Sequence, residues 1–287
     1  DYNLAVGYLA LANDTLGSRS TAIGRSALAA QNFTSATDAY NTAVGFNAGT
    51  AVTTGTINTL IGGLSGDSLT TGNSNVAVGY NSLSTDTLGD RNVAVGAAAL
   101  STQNFTSTTD SYNTAVGYAA GGVVTTGVGN TLMGGLAGIN LTDADYNVVM
   151  GLNALVTDTL GSRSTAIGYA TLALQNFTSA TDTYNTAVGY AAGNVLTTGV
   201  ENTLIGGQTG DALTDADFNV AMGRLALGAD TLGSRSVAIG WGALRVQNFT
   251  SATNTYNTAV GMSAGMAVTT GVRNTFVGGL AGDSTDD

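Results

Sequence analysis

Any chemistry in this chain has to be carried by carboxylates, amides and hydroxyls. Its 287 residues include no His, Cys or Lys, and the only basic groups are eight arginines. Imidazole general-base, thiolate and Schiff-base chemistry therefore have no carrier. A disulfide framework and a thiolate metal site are excluded with them. Glycoside hydrolysis by paired carboxylates is the one familiar reaction class still open. A site for it should stand out as unmatched polar residues. The only Glu, Glu201, shares its repeat position with Ile57, Gly129 and Arg273, which reads as unconstrained surface. The only Trp is Trp241. No enzymatic activity is expected.

Other groupings could bind rather than react. Asp143 and Asp145, and again Asp215 and Asp217, sit in a D-x-D-x-N pattern closed by Asn147 and Asn219. This is the opening of a calcium loop, without the glycine at the sixth position or the glutamate at the twelfth. A solvated turn and a weak calcium site both fit, and no other cofactor is expected. Arg19, Arg91, Arg163 and Arg235 each follow an aspartate (Asp14, Asp86, Asp158, Asp230) by five residues. That spacing suits an ion pair stapling the turn, or a ligand site. The residue after a recurrent glycine is often aromatic, as at Tyr8, Phe46, Tyr80, Tyr118, Tyr169, Tyr190 and Trp241. Such rings suit sugar stacking or packing over a turn.

These groupings recur because the whole chain recurs. The motif [Asn/Ser]-[Thr/Val]-[Ala/Leu]-[Val/Ile/Met]-Gly appears, with few departures, 16 times. The spacings between its glycines cycle through 17, 21, 17 and 17 residues, a 72-residue block read four times (1–72, 73–144, 145–216 and 217–287). A period of this kind marks a solenoid. Gly punctuation and the β-branched Thr and Val between the glycines argue against helix. The chain has 41 glycines where average usage, about 7%, would give about 20. The expectation is an all-β, single-array parallel β-solenoid of about 16 short rungs, each with two strands and two turns. At ~4.8 Å per rung it would make a rod of about 75–80 Å.

Stacked rungs turn repeat positions into ladders. Asn41, Asn113, Asn185 and Asn257 exemplify a column filled by Asn in 13 rungs and Ser in three. Each amide is expected to bond the next, above and below. Gly45, Gly117, Gly189 and Gly261 close the corresponding strands. The long rung inserts Gln31 to Asp38 and its three counterparts, with Asn32 and Phe33, Asn104 and Phe105, Asn176 and Phe177, and Asn248 and Phe249. These segments read as a row of contact loops for a receptor or glycan, or as structural corners. Their Asn-Phe-Thr triplets are also glycosylation sequons.

Strand alternation puts the Val/Ile/Met before each glycine on one face and the Ala column on the other. With the first face assigned to the interior, the second is an external apolar stripe. It is punctuated by Leu60, Leu132, Leu204 and Phe276. A stripe of that length left in water is unfavourable, so these four residues are expected at a homo-oligomer interface with closed symmetry.

Arg235-Ser236-Val237-Ala238-Ile239-Gly240 resembles the core of the head repeats of trimeric autotransporter adhesins. Arg91–Gly96 and Ser74–Gly79 resemble it nearly as well, as does the downstream Gly79-Tyr80-Asn81-Ser82. The resemblance covers essentially the whole chain, though its rungs are longer than the family's commonest. It implies a left-handed parallel β-roll, three chains around one axis, a bacterial cell surface and a passive binding surface.

A net charge of −11 disfavours nucleic acid and anionic membranes, which require clustered Lys and Arg. No run of 18 apolar residues is present to span a membrane as a helix. The functional expectation is an extracellular fibre or adhesin head: a rigid homotrimeric rod presenting a multivalent surface to host protein or glycan. The alternatives are a shaft or receptor-binding segment of a phage tail fibre on a virion, and an end-to-end polymerising filament. An ice-binding solenoid would need a Thr grid on every rung. The Thr53-Thr54 and Thr125-Thr126 pairs give way to Asp86-Thr87 and Asp143-Ala144.

Overall fold

The computed structural model describes residues 1–284, all-β with no helix among them. It contains two compact units, Asp1–Asp145 and Tyr146–Asp287, each holding eight rungs. In the first unit the rungs begin with the three-residue strands Leu4–Val6, Thr21–Ile23, Thr42–Val44, Thr59–Ile61, Val76–Val78, Val93–Val95, Thr114–Val116 and Thr131–Met133. The second unit repeats the scheme from Val148–Met150 to Thr275–Val277. Within each unit every strand pairs in parallel with the next rung's strand, mostly Ala against Ala or Leu, with Val149 against Ala166 and Ala259 against Phe276 in the second unit. Ala5 faces Ala22, Ala22 faces Ala43, and Ala43 faces Leu60. These registers reproduce the 17, 21, 17 cycle.

A regular second strand does not run through every rung. Only the long rung and the one before it pair there, over two residues: Gly17–Ser18 with Thr37–Asp38, and Gly89–Asp90 with Thr109–Asp110. Elsewhere that side is bends held by single cross-rung bonds, such as Thr53 N–H to Thr70 C=O at 2.8 Å. A 17-residue turn is too short for two full strands, because it spends residues on corners. Three of those corners use left-handed backbone on ordinary side chains, as at Arg19 (φ 62°), Ser26 (φ 58°) and Leu28 (φ 50°). Their N–H groups bond carbonyls of the adjoining rung (Tyr8, for example, for Ser26), which holds a conformation that costs ~1–2 kcal/mol per residue.

The interior is the Ala column, not the Val/Ile/Met column. Ala43, Leu60, Ala94 and Leu132 are fully buried, whereas Ile61 and Met133 are 39% exposed. The core is completed from the turns by Leu28, Leu83 and Leu100 and by Val52, Leu69 and Val124. Volume is conserved rung by rung. The first two rungs of each block, with Ala or Val in the strand, carry Leu four residues after the motif glycine, and the last two carry Gly there. Where Leu60 and Leu132 enter the strand, glycines make room on two successive rungs. A Cβ on Gly49 or Gly66 would lie 2.6 or 2.7 Å from a Leu60 methyl, and one on Gly121 2.5 Å from Leu132 Cδ1.

This complementarity is testable by thermal unfolding. Leu132→Ala is expected to cost ~2–5 kcal/mol through the cavity it opens. Gly121→Ala destabilises by collision with Leu132, since Leu100 in the same column already adopts left-handed backbone (φ 48°). The double variant should be clearly less destabilised than the sum of the two. Additive losses would refute the packing relation.

Candidate functional site: ladders, corners and the outward face

The asparagine column clamps each rung in two directions. Asn41 Nδ2 donates to Gly55 C=O at 2.8 Å, 14 residues on in its own rung, and Asn41 Oδ1 accepts the Asn58 N–H at 2.9 Å. Asn113, Asn185 and Asn257 do the same, to Gly127, Gly199 and Gly271 and from Asn130, Asn202 and Asn274. The ladder thus runs mainly through side chain and backbone. Amide-to-amide bonds such as Asn130 to Asn113 at 3.3 Å are secondary. Beside it, Gly45, Gly117, Gly189 and Gly261 take φ of +136° to +145°. A Cβ on any of them would come within 2.3–2.5 Å of the next rung's glycine oxygen.

Serine replaces asparagine at Ser20, Ser164 and Ser236, always in the 21-residue rung. There the four extra residues displace the closing carbonyl that an asparagine would bond, and a glutamine takes over. Gln175 Nε2 donates to Ser164 Oγ at 2.9 Å and to Asp158 Oδ2 at 2.6 Å, while its Oε1 accepts from Asn185 Nδ2. Asp158 also accepts the Gly161 and Phe177 N–H groups. Its counterpart Asp86 is equally enclosed. Burial raises the Asp86 carboxyl above the ordinary value, opposed by bonds from Gln103, Gly89 and Phe105.

The contact-loop candidates therefore divide. Phe33, Phe105, Phe177 and Phe249 are buried, and cannot touch a partner. A corner that lengthens its rung must still be closed over apolar surface, and these rings do that. Asn32, Asn104, Asn176 and Asn248 are exposed or half-buried and accept a hydroxyl bond from Thr15, Thr87, Thr159 and Thr231 of the preceding rung. The exposed tips are residues 34–36, 106–108, 178–180 and 250–252.

The arginines do not staple the turn to the aspartate five residues earlier, because Asp86, Asp158 and Asp230 point inward. They reach across to the following rung instead: Arg19 to Asp38 at 2.8 Å, Arg91 to Asp110, and Arg163 to Asp182 at 2.5 Å. Arg235 meets Asn254 there. Arg19 also lies between Tyr2 and Tyr40, and Arg163 between Tyr146 and Tyr184. Exposed pairs of this kind contribute little, because solvent screens them.

The D-x-D-x-N carboxylates serve the preceding rung. Asp143 and Asp145 accept from the Thr126 hydroxyl and the Val128 N–H, and Asp215 and Asp217 from Thr198 and Val200. Among the described residues no three acidic groups converge as a metal site.

Leu60, Leu132 and Leu204 are fully buried within their own chain, so they are core and not an oligomer interface. Phe276, in the last described strand, is half-buried over Gly265. The glycines that accommodate these side chains, two per block, are the signal in the sequence that could have placed them inside. The external apolar face is the other one. Thr or Val (Leu4 in the first rung) three residues before each glycine, and Val, Ile or Met directly before it, stand half-exposed or exposed along each unit.

Asp67 and Asp211 are anomalous. One carboxylate oxygen of each is enclosed with no hydrogen-bond partner. Desolvation raises both carboxyls, against a bond from their own backbone.

A scan against protein-family models and a search of curated proteins found no match to this chain.

Two measurements probe these features. Asn113→Ala removes the partner of the Asn130 N–H, the Gly127 C=O and Gln103 Oε1, and at ~1–3 kcal/mol for each buried orphan it should lower the melting temperature by many degrees. A surface-like shift of a degree or two would contradict the clamp. For Asp67 the folded state binds its proton more tightly than the unfolded chain. Its contribution is favourable below the ordinary carboxylate range and is lost as pH rises through the raised value. Asp67→Asn should melt higher than the parent at pH 7, with the gap closing as pH falls below the ordinary carboxylate range.

Proposed function

We propose that this chain is a segment of an extracellular structural fibre or adhesin head, a stiff multivalent surface assembled from three parallel copies. The observation that carries this reading is the outward sheet face. In each unit eight rungs present two adjacent rows of Thr, Val, Ile and Met, including Leu4, Val6, Ile23 and Ile61 in the first unit and Met150 and Met222 in the second. A regular apolar face of this extent marks an association surface. Short side chains on a pleated face let a second copy approach closely, and closed symmetry is the usual outcome for identical chains. Three copies, a bacterial surface and host protein or glycan as ligand follow from the likeness of Arg91–Gly96 and its counterparts to adhesin head repeats. Rung columns that repeat down each unit supply multivalency, since a weak contact on one rung recurs on others. The ladders and buried carboxylates are absorbed by the scaffold.

The solution mass decides. Sedimentation or light scattering should give three times the 28.5 kDa chain mass. Val95→Glu with Ile167→Glu, both on the outward face, should yield folded monomers with unchanged circular dichroism. A parent chain that stays monomeric at high concentration would sink the proposal.

A further inference from the structure

The long corner contains a segment that the scaffold only half uses. Its Gln and Phe side chains are buried, and its Asn N–H bonds a carbonyl of the following rung, Asn32 to Thr53 at 3.0 Å and Asn104 to Thr125 at 2.9 Å. Each of these Asn Oδ1 atoms accepts a Thr hydroxyl of the preceding rung, at 2.8 Å in Asn32 and 2.9 Å in Asn104. The other end of the carboxamide, Nδ2, donates to no group among the described residues in any of the four corners. Two residues on, Thr34, Thr106, Thr178 and Thr250 are exposed, and their hydroxyls have no partner among the described residues. The ladder asparagines differ, since Asn41 Nδ2 is spent on Gly55 C=O.

Other surface positions of the same rung have diverged between blocks. Directly after its motif glycine stand Arg25, Ala97, Tyr169 and Trp241, and two residues before its corner asparagine stand Ala30, Thr102, Leu174 and Val246. Asn-Phe-Thr-Ser is unchanged in all four copies. Packing accounts for the Phe and the cross-rung bond for the Asn. Neither accounts for the Thr. Asn-x-Thr is the acceptor pattern of N-linked glycosylation, which requires a surface loop. These corners meet that requirement, because the backbone bends at Thr34 and Ser35 and residues 34–36 are exposed.

We propose that Asn32, Asn104, Asn176 and Asn248 are acceptors of N-linked sugar, supplied by a donor activated as a sugar diphosphate. The C1–O bond to the diphosphate breaks as a C1–Nδ2 bond forms. The diphosphate leaves with the bonding electron pair, and Nδ2 gives up one proton to a base of the transferase. A separate transferase is needed, because the amide lone pair is delocalised into its carbonyl. The free Thr hydroxyl is the group that enzyme reads beside the asparagine. Within each unit two such corners lie four rungs apart, roughly 19 Å. They stand off the Thr/Val and Val/Ile/Met strand face, so sugar there leaves the association surface open. The inference is independent of the fibre reading.

The test purifies the chain and its variants from the cells that produce it, and reads the sugar on each asparagine by intact mass and peptide fragmentation. N-linked sugar is expected at all four corners. Single hexoses identify a nucleoside-diphosphate donor, and a uniform preassembled oligosaccharide identifies a lipid-diphosphate donor. Thr34→Val, Thr106→Val, Thr178→Val and Thr250→Val should each lose the sugar of their own corner, while the corresponding Thr→Ser variants keep it. These side chains are exposed and make no bond, so every variant should melt as the parent does. Two other Asn-x-Thr triplets begin at Asn13 and Asn140, outside the corners, and the Thr15 hydroxyl of the first is spent on Asn32. Four bare corners, sugar retained after Thr→Val, or sugar confined to Asn13 and Asn140 would overturn the inference.

Discussion

A single carboxamide, repeated rung after rung, closes the turn it belongs to and joins that turn to the next. Asn41 reaches Gly55 within its rung and Asn58 beyond it, and both bonds are buried. Because the closing carbonyl must arrive 14 residues later, rung length is set by this reach. When four residues are inserted the reach fails, and the response is chemical. Serine replaces asparagine in three blocks, and Gln31 or its equivalent spans the enlarged corner between an aspartate of the preceding rung and the next asparagine. Asn92, the exception, accepts from Ser111 and Asn113 instead. A buried polar network of this sort is stabilising only when complete.

Beside the carboxamides, the glycine column sets how closely rungs approach. With the next rung's oxygen less than 3 Å from any Cβ, no other residue can stand there. Interior volume is then so small that each rung affords one large aliphatic pair at most. Leucine moves between turn and strand from rung to rung, and glycine follows it as its complement. The thin core leaves the opposite strand face apolar without covering it. That surplus is the physical reason for reading the chain as one member of an assembly.

The proposed functions live in what the scaffold does not use. The buried Asn, Gln and Asp groups are committed to one another, and the cross-rung arginines to Asp38, Asp110 and Asp182. What stays uncommitted is the Thr/Val and Val/Ile/Met face, the exposed tips of the long corners, and the aromatic row. Two enclosed but unpaired carboxylate oxygens, on Asp67 and Asp211, are a cost with no visible return in the fold.

Periodicity by itself determined the architecture. Spacings of 17, 21, 17 and 17 residues name the strand partners, and the Asn and Gly positions identify the ladders, because stacking places equal positions side by side. What it could not determine was which strand face is inside. Alternation separates Ala43 from Val44 but does not orient them, and hydrophobicity favours the wrong choice, since valine is larger and more apolar than alanine. Only the tertiary structure decides, because the interior is filled from the turns, by Leu28 and Val52, leaving space for alanine except where turn glycines admit a leucine. The same filling carries Leu60 inward, seats the Phe33 ring under its corner and turns Asp86 away from Arg91. Each of these side chains was legible as a position in the repeat. Its direction depended on atoms a rung away.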